Sequence, residues 1–145
     1  MPDPDYLFVY GTLLAVAQHP MGDLLQQKAR LVGPGTIQAK LYRIDDPDAP
    51  GENYYPGAVP SGDARDVVHG EVHEVLDPAG LYPKFDAFEA CSDDWPEPHE
   101  FMLRRVSVRM AGGPVWAHSY LYTWDVTQAQ PIRTGRYTEV SPSVR

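Results

Sequence analysis

Cysteine and positive charge are both scarce in this sequence of 145 residues. A single cysteine, Cys91, excludes an internal disulfide and a cysteine-rich zinc site. Lys and Arg together number 12, against 20 Asp and Glu, which gives a formal net charge of −8. Because nucleic-acid binding depends on Lys and Arg displacing counterions from phosphates, this balance argues against a nucleic-acid partner.

Long hydrophobic runs are also missing. The sequence has no apolar stretch of the roughly 18 residues that a membrane-spanning helix needs, so no membrane partner is expected. Residues 1–5 are acidic, whereas a secretory signal begins with basic residues followed by an apolar stretch. The hydrophobic share of 43% and the charged share of 22% are ordinary globular values. We therefore expect a folded, cytoplasmic protein with one domain spanning residues 1–145.

Proline and glycine, in contrast, are abundant, with 15 and 12 residues. They interrupt the chain at irregular intervals, which is typical of short strands joined by turns. Gly33-Pro34-Gly35 predicts one such turn. Segments with alternating or continuous apolar patterns predict strands, and these are residues 6–10, 36–44, 67–75, 102–110 and 115–124.

Two segments predict short helices. One covers residues 21–29, and the other starts at Asp77-Pro78, where a potential N-cap is followed by proline. Because Pro83 follows soon after, we expect the regular part of this second helix to begin only around Tyr82. Its apolar stripe contains Leu81, Phe85 and Phe88. The order of elements predicts an α+β fold whose mostly antiparallel sheet is closed or strongly curled.

Two positions have the chemistry of a site. Gly11 ends a buried strand, where successive backbone N–H groups can form a concavity for a carboxylate or oxyanion. The alternative is that this glycine only lets the chain turn. Glu89 falls at the edge of the helical stripe, where partial burial would raise its pKa toward the range useful for proton transfer. The alternative is an ordinary solvated glutamate.

Other candidate groups are weaker. His69, Glu71 and His73 share one strand face, but their spacing spans roughly 13 Å, too far for one strand to bring all three to a single ion. We therefore predict no metal site. Acidic residues flank Cys91 and would raise its thiol pKa, which disfavours a nucleophilic role.

An aromatic stripe follows one face of the last predicted strand. A core or barrel lining is the first interpretation of this stripe, and a ligand platform is the second. If the stripe lines a cavity, its tyrosine hydroxyls, including that of Tyr122, are the polar groups available to a ligand. Its members are Trp116, His118, Tyr120, Tyr122 and Trp124.

Several short motifs, taken in order, resemble a known family. Tyr10-Gly11-Thr12-Leu13 after an N-terminal strand resembles the Tyr-Gly-Ser/Thr-Leu signature of the γ-glutamylcyclotransferase-like family. The segment Phe85-Asp86-Ala87-Phe88-Glu89-Ala90-Cys91 is similar to the block that carries the family's catalytic glutamate. The resemblance covers residues 6 to about 137, and its further blocks are residues 41–42, 55–59, 68–75, 104–108, 120–122 and 132–135.

The resemblance implies a fold and an activity. The fold is a small, mixed, mostly antiparallel β-barrel flanked by short helices, with a cavity beside the Tyr-Gly-Thr-Leu loop. The activity is conversion of a γ-glutamyl amine or amino acid to 5-oxoproline without a cofactor. Glu89 would be the general acid and base. The substrate-binding residues implied are Tyr10, Gly11, Thr12, Leu13 and Tyr122.

Other functions stay open at this point. The same fold could serve a non-catalytic binder of a small metabolite or of another protein, or another γ-glutamyl acyl transfer or hydrolysis. Ala90 stands where the family usually has glycine, and Leu103 where it commonly has tyrosine. For this reason the leaving group is not predicted, and neither is the oligomeric state.

Overall fold

A computed structural model describes residues 4–10, 20–47, 50–51, 54–88 and 97–137. These residues form seven strands and two helices. The strands are β1 (Tyr6–Val9), β2 (Ala29–Asp45), β3 (Tyr54–Pro60), β4 (Val67–Val75), β5 (Phe101–Met110), β6 (Gly113–Tyr122) and β7 (Gln130–Pro131). The helices are α1 (Pro20–Lys28) and α2 (Pro78–Phe88), and neither is long and apolar enough to cross a membrane.

Five strands close into a mixed barrel in the order β2-β4-β1-β6-β5. The contact that closes it joins β5 to β2, where Arg109 lies opposite Thr36. The pairing of β1 with β6, at Leu7 and His118, is parallel, and the other pairings around the barrel are antiparallel. Strands β3 and β7 both pair with β2 outside the ring. The predicted α+β class and the mostly antiparallel barrel are confirmed, and β5 and β6 form an antiparallel hairpin.

The short strand β1 is buried on both faces, as its apolar sequence predicts. Leu7 and Val9 belong to the hydrophobic cluster beneath the helices. Phe8, which points the opposite way, belongs to the cluster that six of the strands contribute to the barrel interior. The strand therefore stands between the two cores of the molecule.

The predicted turn at Gly33-Pro34-Gly35 is wrong. Strand β2 continues through these residues, with only an irregularity in its register between Leu31 and Gly33. Gly35 pairs with Gly70, and a Cβ added at Gly35 would lie 2.5 Å from Val108 Cγ1. Glycine is needed here because β5 approaches closely, not because the chain reverses.

Helix α2 also begins earlier than expected, at Pro78 rather than near Tyr82. The Asp77 Oδ1 atom accepts a hydrogen bond from Gly80 N at 3.1 Å, so Asp77 is the predicted N-cap. Pro83 lies inside the helix. Its missing N–H costs one helical hydrogen bond, but the buried side chains of Leu81 and Phe85 on either side hold the helix against the barrel.

Candidate active site at the ends of β1 and β6

Helix α2 lies along the outer face of β6 and runs in the same direction. Near its start, the Tyr82 ring contacts the His118 ring with centroids 6.4 Å apart. One turn later, the Phe85 and Tyr120 rings are 6.2 Å apart, and the Tyr120 hydroxyl donates to Asp86 Oδ1 at 2.7 Å. The carboxyl end of α2 therefore points to the carboxyl end of β6.

Strand β1 leads to the same edge of the barrel because it runs parallel to β6. The residues predicted to act there continue these elements in the chain. Gly11, Thr12 and Leu13 follow Tyr10, and Glu89 follows Phe88. All four lie outside the described residues, so their predicted roles stay predictions.

Tyr10 is described, and its hydroxyl is engaged by the backbone. It donates to the Tyr120 carbonyl oxygen at 2.5 Å and accepts from Ala58 N at 3.1 Å. The phenol thereby ties β3 to β6 at the barrel edge. A substrate contact at Tyr10, which the family resemblance implies, would therefore be made by its backbone.

Tyr122 differs from Tyr10 in that its hydroxyl makes no hydrogen bond to any residue that the structure describes. Its ring packs edge-on against Phe101 with centroids 5.3 Å apart. Burial, and then the negative charges of Glu100 and Asp125, raise the pKa of Tyr122 to about 12. The phenol therefore stays protonated near neutral pH and can donate a hydrogen bond.

A buried carboxylate at this edge was missed by the sequence analysis. The Glu100 side chain is 5% exposed and accepts a hydrogen bond from the Tyr55 hydroxyl. Its backbone is held to the end of β6, since the Glu100 carbonyl accepts from Thr123 N at 2.9 Å. No local pattern distinguishes Glu100 from other acids in this part of the chain. Only the register of β5 on β6, which sets Phe101 opposite Tyr122, places it there.

The aromatic stripe on β6 divides between two environments. Tyr120 and Tyr122 belong to the hydrophobic cluster beneath the helices, whereas Trp116 is 58% exposed. The Arg105 guanidinium sits 4.4 Å above the Trp116 ring. His118 Nδ1 lies 3.4 Å from Asp5 Oδ1. The stripe therefore faces outward from the barrel rather than lining its interior.

The polar row on β4 also faces outward. His73 is buried and its Nε2 lies 3.5 Å from Glu71 Oε1. Burial lowers the pKa of His73, and the Glu71 carboxylate opposes this shift. Within the described ranges, no three His, Cys, Asp or Glu side chains are grouped so that they could hold a metal ion.

Comparison with known proteins assigns the chain to a family. The family model described as gamma-glutamyl cyclotransferase, AIG2-like, matches residues 7–139. The chain belongs to this family. The match confirms the resemblance of its short motifs to the family. Members of the AIG2-like gamma-glutamyl cyclotransferase family are generally enzymes.

Solved structures show the same fold. An AIG2-like protein from Mus musculus is 18% identical, with a TM-score of 0.65 and coverage of 98% of this chain and 99% of that one. The protein ytfP from Escherichia coli is 25% identical, with a TM-score of 0.57 and coverage of 92% and 96%. YkqA from Bacillus subtilis is 20% identical, with a TM-score of 0.63; 93% of this chain matches 40% of that longer one. No curated protein matches the sequence at a significant level.

Proposed function

We propose that this protein is a γ-glutamyl cyclotransferase that converts a γ-glutamyl amine or γ-glutamyl amino acid to 5-oxoproline and releases the amine. The observation that carries the proposal is that β1, β6 and α2 all lead to one edge of the barrel. The Tyr-Gly-Thr-Leu motif and Glu89 continue β1 and α2 directly in the chain. Membership of the AIG2-like family supports the same activity.

Glu89 is the proposed general base and acid. Its carboxylate takes a proton from the substrate's α-ammonium group, and the freed nitrogen attacks the γ-carbonyl carbon. A new C–N bond closes the five-membered ring, and the bond from that carbon to the departing nitrogen breaks. Glu89 then returns its proton to the departing nitrogen. The ring nitrogen loses its second proton, which the released amine takes up as an ammonium ion, so the reaction is balanced without a cofactor. Acid–base catalysis of this kind contributes about 10²–10⁴-fold to a rate.

The remaining groups orient the substrate. Backbone N–H groups of Gly11, Thr12 and Leu13 bind the glutamyl portion in this proposal, while the phenol of Tyr122 donates to its carboxylate. The hydroxyl of Tyr122 supports that role because it makes no hydrogen bond to a described residue. Holding the amine close to its target carbonyl lowers the entropic part of the barrier.

The experiment is to measure 5-oxoproline release from γ-glutamyl dipeptides, γ-glutamyl amines and γ-glutamyl-ε-lysine. The amide in Glu89→Gln keeps the size of the side chain and removes its proton transfer. We expect kcat/KM to fall by about 10² or more at an unchanged melting temperature. The matched control is Glu97→Gln, the same change at an exposed glutamate, which should keep full activity.

Two results would count against the proposal. Full activity in Glu89→Gln would remove Glu89 from the chemistry. Binding of these compounds without any 5-oxoproline would favour a non-catalytic metabolite-binding protein, and release of free glutamate would indicate hydrolysis on the same fold.

A further inference from the structure

A cleft of about 520 Å³ lies on the outer face of the barrel, beside the carboxyl end of β1, where Glu71 pairs with Val9. Its floor is formed by residues 34–36 of β2 and residues 69–71 of β4, and its walls by residues 109–111 and by Arg136 and Tyr137. The last segment is strapped to β4, because His69 N donates to the Gly135 carbonyl at 2.8 Å. That bond holds Arg136 at the cleft.

The charges of this cleft are unusual for the protein. The guanidinium groups of Arg109 and Arg136 have no carboxylate or hydrogen-bond partner among the described residues. In contrast, Arg30 pairs with Glu74 and Arg65 with Asp63. Two unpaired guanidinium groups thus face one cleft in a chain whose formal net charge is −8. The local excess of positive charge at this cleft attracts anions.

The neighbouring polar groups can complement an anion. Burial, and then the positive charge of Arg136, lower the pKa of His69, so its imidazole is neutral near pH 7 and has one N–H to donate. The Thr36 hydroxyl makes no hydrogen bond within the described part of the chain. The one acid in the lining, Glu71, lies beside the buried His73.

We propose that this cleft binds a small oxyanion, the phosphate or carboxylate group of a metabolite, through Arg109 and Arg136. A guanidinium presents a planar fork of N–H donors that matches both kinds of oxyanion. The cleft volume falls within the roughly 300–1,000 Å³ of small-molecule sites, so there is room for more of the ligand than its charged group. None of the described lining residues is assigned a role in the proposed cyclotransferase reaction.

The test is calorimetric titration with inorganic phosphate and, separately, with succinate, at constant ionic strength. Parallel NMR spectra follow the His69 imidazole. We expect saturable binding and a rise in the pKa of His69, because the bound anion offsets the field of Arg136. Tighter binding of phosphate than of succinate would identify the ligand as a phosphate, and the reverse order would identify a carboxylate.

Charge-matched variants make the test specific. Arg109→Gln and Arg136→Gln should each weaken binding about tenfold or more. Arg104→Gln on the same strand and Arg133→Gln in the same terminal segment are exposed and outside the cleft, and should bind as the wild type does. Equal losses in all four variants would show non-specific attraction and overturn the proposal. So would an absence of saturable binding to both anions.

Discussion

Three tyrosines lie near the edge where β1 and β6 end, and their hydroxyls have different partners. The Tyr10 hydroxyl bridges two backbone groups, the Tyr120 hydroxyl donates to Asp86, and that of Tyr122 is free among the described residues. At the scale of single residues, Tyr122 is therefore the described side chain best suited to meet a substrate.

Removing the Tyr122 hydroxyl should weaken catalysis without changing the stability of the fold. Tyr122→Phe should leave the free energy of unfolding within about 0.5 kcal/mol of the wild type, because no described protein contact is lost. We expect kcat/KM for 5-oxoproline formation to fall about tenfold, the effect of one lost hydrogen bond. Tyr120→Phe is the control, since losing its bond to Asp86 should cost about 1 kcal/mol of stability. Unchanged kinetics in Tyr122→Phe would exclude the assigned contact.

His73 should make stability depend on pH. Burial lowers the pKa of His73 below the ordinary 6.5. As the pH falls below 6.5, the unfolded chain therefore binds a proton at His73 more readily than the folded protein does. Stability should therefore be highest above pH 6.5 and fall as the pH drops below that value. Urea unfolding between about pH 7.5 and pH 5.5 measures this fall. His73→Gln should reduce the pH dependence; a variant that kept all of it would assign the effect to other groups.

At the scale of elements, helix α2 depends on its N-cap because Pro83 removes one of its own hydrogen bonds. Asp77→Ala takes away the side-chain acceptor for Gly80 N, leaving only the Asp77 carbonyl at 3.1 Å, and should cost about 1 kcal/mol of stability. Asp77→Asn keeps that acceptor and loses only the exposed ion pair with Lys28, so it should cost less than about 0.5 kcal/mol. Urea midpoints compare the three proteins. If Asp77→Asn proved as damaging as Asp77→Ala, the ion pair would be the main contribution.

At the scale of the whole molecule, the barrel needs glycine where its strands approach each other most closely. A Cβ added at Gly70 would lie 2.3 Å from the Val9 carbonyl oxygen and 2.7 Å from Phe8 Cζ. Gly70→Ala must therefore push β1 from β4, and should cost about 1–3 kcal/mol or more. Gly112→Ala is the control, because nothing lies within 4 Å of its added Cβ. Similar melting temperatures for the two variants would contradict this explanation of closure.

Much of the fold can be predicted from the sequence because the relevant patterns are local. The alternation of apolar and polar residues in Val67–Val75 predicts the two faces of β4, and the apolar run of β1 predicts a strand that is buried on both sides. The motif around Tyr10 and the block around Glu89 indicate the family. Helix α2 is foreseen from Asp77, although its start is misjudged, since burial of Leu81 and Phe85 outweighs the effect of Pro83.

Tertiary structure decides what depends on residues far apart in the chain. Whether Gly33-Pro34-Gly35 turns or extends depends on pairing with β4 and on the approach of Val108. The pairing of β5 with β6 places Glu100 at the end of β6, where the Tyr55 hydroxyl of β3 donates to it. Arg109 and Arg136 share a cleft only once the terminal segment is bonded to β4. The periodicity of the sequence indicates which side chains are buried. Barrel closure determines which polar side chains, distant in the chain, lie together and which of them have no protein partner.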